Sequence, residues 1–501
     1  MKIDCPSIVL EKLSSFFSKP LDQIMVERKA EDPRKGVLSL FQEAANRVPA
    51  YRQFLQDNGV VPEQVITYDD FAKLPLTNKP NYMQKYSLPD RCRDGSLMTC
   101  DRLAVSSGST GIPTFWPRAM VDELEVALRF EQVFRQSFHA HERNTLAVVC
   151  FPLGNWVGGM FTTSCCWHLA QKGYLLTVAT PGNKPEEIIR VVRELSPHFH
   201  QTVLLGYPPF VKDVVNTGIT QGMDWSEFSV KFVFAGEVFS EEWRDLLLKR
   251  VGSISPCQDT SSLYGTADGG VLGNETPLSI TIRRFLSRNP AVARKLFGES
   301  RLPTLVQYDP FGRFFEVIDG ETLAVTADNG IPLLRYHIAD RGGIIGYDEM
   351  LAFVKGHGLG SFDAYGVEPD DFNLPFVWVF GRADFTISFY GANIYPENVM
   401  VGLEQEMISG WVTGKFVMEV RESEDGLQIL HIVVELLPNI TGNAEKQSAI
   451  AHSIRSQIIR LNSEFANYVP ETRQIPQIEL LPFAEPKNFP VGVKHRYTRK
   501  S

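Results

Sequence analysis

Cysteine is scarce in this chain and follows no pattern. The 501 residues hold seven cysteines, at 5, 92, 100, 150, 165, 166 and 257. The number is odd and no CxxC pair occurs, which excludes a zinc ribbon and offers no disulfide framework. Long apolar runs are missing too. No stretch reaches the roughly 18 consecutive apolar residues of a membrane-spanning helix. Positive charge is in deficit, with 50 basic against 59 acidic residues and a net charge of −9. That balance argues against binding of nucleic acid by broad phosphate neutralisation and against an anionic membrane surface as main partner. It does not exclude a small anionic ligand in a locally positive pocket. The start, Met1-Lys2-Ile3-Asp4-Cys5, lacks the basic-then-apolar pattern of a signal peptide. A reducing cytoplasm is the expected location. The pairs His139/His141 and His198/His200 have no third ligand at matching spacing and read as structural. There are no repeats and no low-complexity tract.

What is present is ordinary globular composition, with 44% hydrophobic and 22% charged residues. At about 150 residues per domain the length suggests about three domains, or one large domain plus a smaller one. Residues 1–100 read as helices and loops, with a helix over Gly36–Asn46 and a loop at Pro75–Pro80. From 145 to 260 strands alternate with helices. Strands fall at Thr145–Phe151, Gly173–Ala179, Thr202–Leu205 and Val230–Phe234, and helices at Pro185–Leu195 and Pro209–Asn216. Ser240 stands as an N-cap before Glu241 and Glu242. This alternation predicts an α/β fold with an at least partly parallel sheet. Residues 276–302 read as an insertion of helix and loop, and 314–336 return to strand-like alternation. Lys355–Pro375 reads as a loop approaching a boundary. After Arg382 a small unit follows, with strands at Phe416–Val420, Leu427–Leu436 and Gln477–Leu481 and one helix over Ala444–Phe465. The fold class is thus α/β, a large N-terminal region (1–382) of sheets flanked by helices plus a small α+β C-terminal unit (383–501).

The segment Ser106-Ser107-Gly108-Ser109-Thr110-Gly111-Ile112-Pro113-Thr114 follows a short strand. Its glycines let backbone N–H groups converge, and its hydroxyls add donors, which suits a polyphosphate. A flexible surface turn has the same composition. No Gly-Lys-Ser/Thr ends the segment, so it is not a Walker loop. Gly236-Glu237 follow a strand, where ligands of open α/β sheets bind.

Together these segments resemble the adenylate-forming superfamily of acyl-CoA synthetases, peptide-synthetase adenylation domains and luciferases, most of all its phenylacetate–CoA ligase branch. The resemblance runs from about residue 40 to the end. It implies that Ser106, Ser107, Gly108, Ser109, Thr110 and Gly111 hold phosphate, and that Gly236 and Glu237 line the adenine and acyl pocket. In Tyr264-Gly265-Thr266-Ala267-Asp268, Tyr264 would stack on adenine beside Gly265, Thr266 would contact the α-phosphate, and Asp268 would hold magnesium. Asp340, in Arg335-Tyr336-His337-Ile338-Ala339-Asp340, would accept from both ribose hydroxyls. Gly381-Arg382-Ala383-Asp384 resembles the hinge before the lid. Lys494, in Gly492-Val493-Lys494, would enter the active site when the lid closes, with Lys487 and Lys500 as rivals. Trp156, Gly158 and Phe161 would shape the carboxylate pocket, ordinary core packing being the other reading of the two aromatics. The chain departs from the family pattern at Ile112, where many members carry Lys, at Asp268 in place of Glu, and at Phe385 in place of Asp.

The activity so implied is ATP-dependent, Mg²⁺-assisted conversion of an aryl or arylacetic acid to an acyl-adenylate, followed by transfer to coenzyme A. Transfer to an amine such as an amino acid, or to a carrier protein, is the alternative acceptor chemistry. The 276–302 insertion and the 353–375 loop lean that way. An inactive nucleotide-binding scaffold is the reading from another class. The expected partners are the carboxylic acid and the acceptor, without nucleic acid or membrane and with room for a homodimer.

Overall fold

The computed structural model describes residues 7–105, 114–155, 157–299, 302–360, 362, 372–382, 387–390, 392–422, 428–490 and 495–499. An antiparallel ribbon, β1 (Arg102–Val105) and β2 (Phe115–Arg118), flanks the Ser/Gly/Thr segment in sequence. The segment itself, 106–113, lies outside the described residues.

Among the described residues, 11 strands form one sheet. They are β3 (Thr145–Val149), β4 (Leu176–Ala179), β5 (Gln201–Gly206), β6 (Val230–Ala235), β7 (Thr260–Thr266), β8 (Gly270–Asn274), β9 (Thr304–Gln307), β10 (Phe314–Ile318), β11 (Thr322–Ala327), β12 (Leu333–Ile345) and β13 (Phe376–Arg382). Their order is β10-β11-β12-β13-β9-β8-β7-β6-β5-β3-β4. The half from β4 to β7 is parallel, and the half from β7 to β10 is antiparallel.

The parallel half needs crossover helices on its faces, and the sequence supplies them. The helix Pro185–Leu195 begins with proline, carries Glu186 and Glu187 in its first turn, and buries Ile188, Ile189, Val191 and Val192. Covered on both faces, β5 is buried along its whole length, which is why its Val203-Leu204-Leu205 stretch shows no alternation of apolar and polar residues. The Ser240 side chain caps the helix Glu241–Arg250 by accepting from the Trp243 N–H at 3.0 Å.

Residues 276–302, read as an insertion of helix and loop, form helices Pro277–Arg288 and Pro290–Phe297, which bury Leu278, Ile280, Ile282 and Leu286 in a core shared with Met350 and Phe376. One reading from sequence is corrected. Ala444–Phe465 is not one helix but two, Ala444–Leu461 and Ser463–Tyr468. Asn462 between them is extended, and its side chain accepts from the Phe465 N–H, the local competition that makes Asn a helix breaker.

Beyond β13, β14 (Ile387–Phe389) pairs with β15 (Ala392–Ile394). A second sheet runs β16 (Val412–Glu422), β17 (Gln428–Leu436) and β18 (Gln477–Leu481). The helix Ala444–Leu461 buries Ile450, Ile454 and Ile458 in a cluster with Phe389, Phe416 and Ile432, drawn entirely from residues after 386.

Candidate active site

The carboxyl ends of β6 and β7 and the strand β12 carry Gly236, Tyr264 and Asp340, and bring Tyr264 and Asp340 into contact. Gly236 leaves β6 at φ +87°, and a Cβ there would lie 2.8 Å from Tyr207 Cε1, so only glycine fits. In the glycine-rich stretch the close approach belongs to Gly159 rather than Gly158. A Cβ on Gly159 would meet the Pro152 carbonyl oxygen at 2.2 Å, whereas one on Gly158 would sit 3.5 Å from the Phe151 ring. Phe161 is buried on the helix Val157–Lys172, with the Arg118 guanidinium 5.3 Å from its ring centre. Trp156, Ser106–Gly111, Asp384 and Lys494 lie outside the described residues. Arg382 ends β13, where its backbone pairs with that of Asp340.

Tyr264, near the end of β7, donates its hydroxyl to Asp340 Oδ2 at 2.7 Å. Both residues are buried. The register of β12 against β11 shifts twice, and Arg335 and Ala339 take positive φ of 46° and 65°. Such bulges re-aim side chains, and the one at Ala339 immediately precedes Asp340. Thr266 Oγ1 accepts from the Gly269 N–H at 3.0 Å and closes the turn that carries Asp268.

Asp268 is 4% exposed and sits among three groups that sequence reasoning did not select. The Tyr336 hydroxyl donates to its Oδ2 at 2.6 Å, Lys79 Nζ lies 3.5 Å from its Oδ1, and Arg118 Nη2 donates to its carbonyl at 3.2 Å. Lys79 gets there because Thr77 pairs with the bulged edge of β12. The Thr77 N–H donates to the Arg335 carbonyl at 3.2 Å, and Thr77 accepts from the His337 N–H at 2.7 Å. Asn78 and Asn81 then cap each other reciprocally and start the one-turn helix Lys79–Met83. The only signal in the sequence was a lysine inside the Pro75–Pro80 loop. Tyr336 was quoted within the Asp340 motif without a role. Among the described residues no three His, Cys, Asp or Glu side chains cluster as a metal site.

No protein-family model matches the chain. A phenylacetate-coenzyme A ligase of Aromatoleum evansii is 21% identical over 437 residues, covering 83% of this chain and 84% of its own. A phenylacetate-coenzyme A ligase of Pseudomonas putida is 20% identical over 334 residues, covering 64% of this chain and 68% of its own. A solved 2-hydroxyisobutyryl-CoA ligase, in its postadenylation state, superposes over 93% of this chain and 89% of its own, with a TM-score of 0.65 at 15% identity. The chain has the adenylate-forming ligase fold. In sequence it is similar to the phenylacetate–CoA ligase branch, as its motifs implied.

Within this adenylate-forming fold the C-terminal tail docks on the large region at Glu237. The His495 N–H donates to Glu237 Oε1 at 3.2 Å and the Tyr497 hydroxyl to Oε2 at 2.9 Å. The tail also joins the second sheet, because the Met418 N–H donates to the Tyr497 carbonyl at 2.8 Å. Burial, then the Glu237 carboxylate, push the Tyr497 phenol well above its ordinary value. Burial pulls the His495 imidazole down to about 4, the Phe416 carbonyl opposing and Lys415 adding to the shift. Elsewhere along this junction Lys415 pairs with Asp213 of the helix Pro208–Thr220, and Ser240 donates to Glu404. Among the described residues no helix is long and apolar enough to cross a membrane.

Proposed function

We propose that the chain is an ATP-dependent acid–CoA ligase. A carboxylate oxygen attacks the α-phosphorus of ATP and pyrophosphate leaves. The CoA thiol then attacks the acyl carbon and AMP leaves. The convergence of Tyr264 on β7, Asp268 in the turn after it and Asp340 on β12, far apart in sequence, carries this reading. Asp340 binds the ribose hydroxyls with Tyr264 steadying its carboxylate and packing the adenine. Thr266 and the 106–111 segment hold phosphate. Lys494 neutralises charge that builds in the adenylation transition state.

The Asp268 carboxylate supplies hard oxygen donors, of the kind magnesium takes together with phosphate oxygens and water. Magnesium held there would offset phosphate charge. Lys79, 3.5 Å from the same carboxylate, is a second cation on this side of the site. The chain divides into a large unit, 1–382, and a lid, 383–501. The separate core after residue 386 supports that division. Coenzyme A is the acceptor. The segment whose apparent insertion favoured an amine is a pair of core helices. The cytoplasm is the proposed location, in keeping with the unpaired cysteines among the described residues.

Isotope exchange of pyrophosphate into ATP, run over a panel of aromatic and arylacetic acids, tests the first step. Product mass with CoA or with amino acids present tests the second. Exchange with at least one acid and a thioester product are expected. ATP binding without exchange for any acid would point to an inactive scaffold, and an amide formed with CoA ignored would replace the acceptor.

A further inference from the structure

Tyr207 follows β5 and is the N-cap of the helix Pro208–Thr220. Its ring covers Gly236, whose would-be Cβ lies 2.8 Å from Cε1 and 3.0 Å from Cδ1. Its hydroxyl oxygen lies 3.8 Å from where a Cβ on Gly158 would stand. Phe151 meets the ring edge-on, with centroids 5.0 Å apart at 85°. Tyr207 thus lies between two glycines that the family resemblance places at the substrate pocket, one just after β6 and one at the head of the helix Val157–Lys172. Neither glycine brings a side chain that would cover it.

The ring packs against Phe151 and Gly236 while the hydroxyl stays open, so Tyr207 presents an apolar body and a polar tip. Among the described residues the Tyr207 hydroxyl has no hydrogen-bond partner, and it is not sealed from solvent. The nearest carboxylate, Glu237, is already engaged by Tyr497 and the His495 N–H. Burial, then Glu237, push the phenol up to about 12, so it is neutral and able to donate at physiological pH. Phe151, Gly158 and Gly236 offer no side-chain donor or acceptor beside it.

We propose that Tyr207 is the polar floor of the acid pocket and selects carboxylic acids carrying a hydrogen-bonding substituent, a ring hydroxyl or amino group, over their unsubstituted counterparts. The inference rests on the ligase reading and narrows its substrate class. A site built to hydrogen-bond a substrate group discriminates against the analogue lacking it, because the protein group is left unpaired on binding.

The test uses the full-length protein and matched acids: benzoate against its hydroxy and amino derivatives at each ring position, and phenylacetate against its own. For each, kcat/KM is measured by pyrophosphate exchange, with wild type and with Tyr207→Phe. At one ring position or more, wild type should favour the substituted acid by about tenfold or more. In Tyr207→Phe that ratio should collapse toward one, through KM of the substituted acid. Wild type alone decides half of the question, so a poorly folding variant does not rescue the idea. No preference at any position overturns it, as does a preference that survives Tyr207→Phe. Exchange with unsubstituted acids only would sink the proposal and leave the ligase reading standing. Exchange with no acid at all would sink both.

Discussion

The Tyr497 hydroxyl donates to Glu237 Oε2 at 2.9 Å, joining residues 260 positions apart. One belongs to the tail and the other to the end of a central strand, so this contact fixes where the tail meets the large region. The bond is charge-assisted, and such bonds contribute about 1.5–3 kcal/mol. Tyr497→Phe should therefore lower the rate of adenylation by roughly tenfold or more. Thiolysis of a preformed acyl-adenylate should change far less. Single-turnover measurements of the two half-reactions separate these effects, and equal losses in both would refute a docking role confined to adenylation.

Lys494→Ala gives a sharper form of the same split. If the ammonium acts only in the adenylation transition state, that rate falls by orders of magnitude while affinity for ATP and acid barely moves. An undiminished rate would transfer the role to Lys487 or Lys500.

Docking of the tail should depend on pH through His495. Its imidazole titrates near 6.5 when free and is pulled to about 4 by burial when docked. Between those values the docked state binds fewer protons than the undocked one. Docking is therefore complete above pH 6.5 and is lost as pH falls toward 4, by roughly 3 kcal/mol at most. Hydrogen exchange at the Met418 amide, which donates to Tyr497, reports it directly. Protection should drop across that window and become nearly flat in His495→Gln. An identical profile in the variant would assign the effect to another group.

Asp340→Ala removes the acceptor of the Tyr264 hydroxyl and the proposed ribose ligand in one change. KM for ATP should rise about tenfold to a hundredfold. Tyr264→Phe keeps the carboxylate and the ring and should cost less, because it removes only the one hydrogen bond to that carboxylate. Calorimetric titration with ATP ranks the two variants, and the reverse order would contradict this assignment.

Arg283 braces the segment just beyond Gly236 and Glu237. It donates to the Phe239 carbonyl at 2.6 Å and pairs with Glu241, which also binds Arg244 and Arg284. Burial opposes the charge on Glu241, but the three guanidinium groups outweigh it and hold its pKa down at about 2. Breaking such a buried network costs about 3–5 kcal/mol. Arg283→Ala should lower the thermal midpoint by several degrees, read by calorimetry. A midpoint equal to wild type would mean that the Arg283–Glu241 network contributes nothing to stability.

The sequence by itself determined the local elements and the order of the motifs. Apolar runs at Thr202–Leu205 and Val230–Phe234, alternating with helices, are enough to require a partly parallel sheet, because both faces of those strands must be covered. Gly236, Tyr264, Asp268 and Asp340 could be selected from the sequence as candidates because short motifs confine chemistry to neighbouring residues. Lys79 could not. Its place beside Asp268 depends on Thr77 pairing with a bulge in β12, more than 250 residues later. Tyr207 was not legible either, since one tyrosine after an apolar strand looks like any other, and only Gly236 and Gly158 coming together around its ring distinguish it. The helices from 277 to 297 were legible as helix but not as part of a core, because amphipathic spacing shows that a face is buried but not what it is buried against. Periodicity is a property of a segment. The meeting of Lys79 with Asp268, and of Glu237 with Tyr497, is a property of the closed chain, and only the tertiary structure decided it.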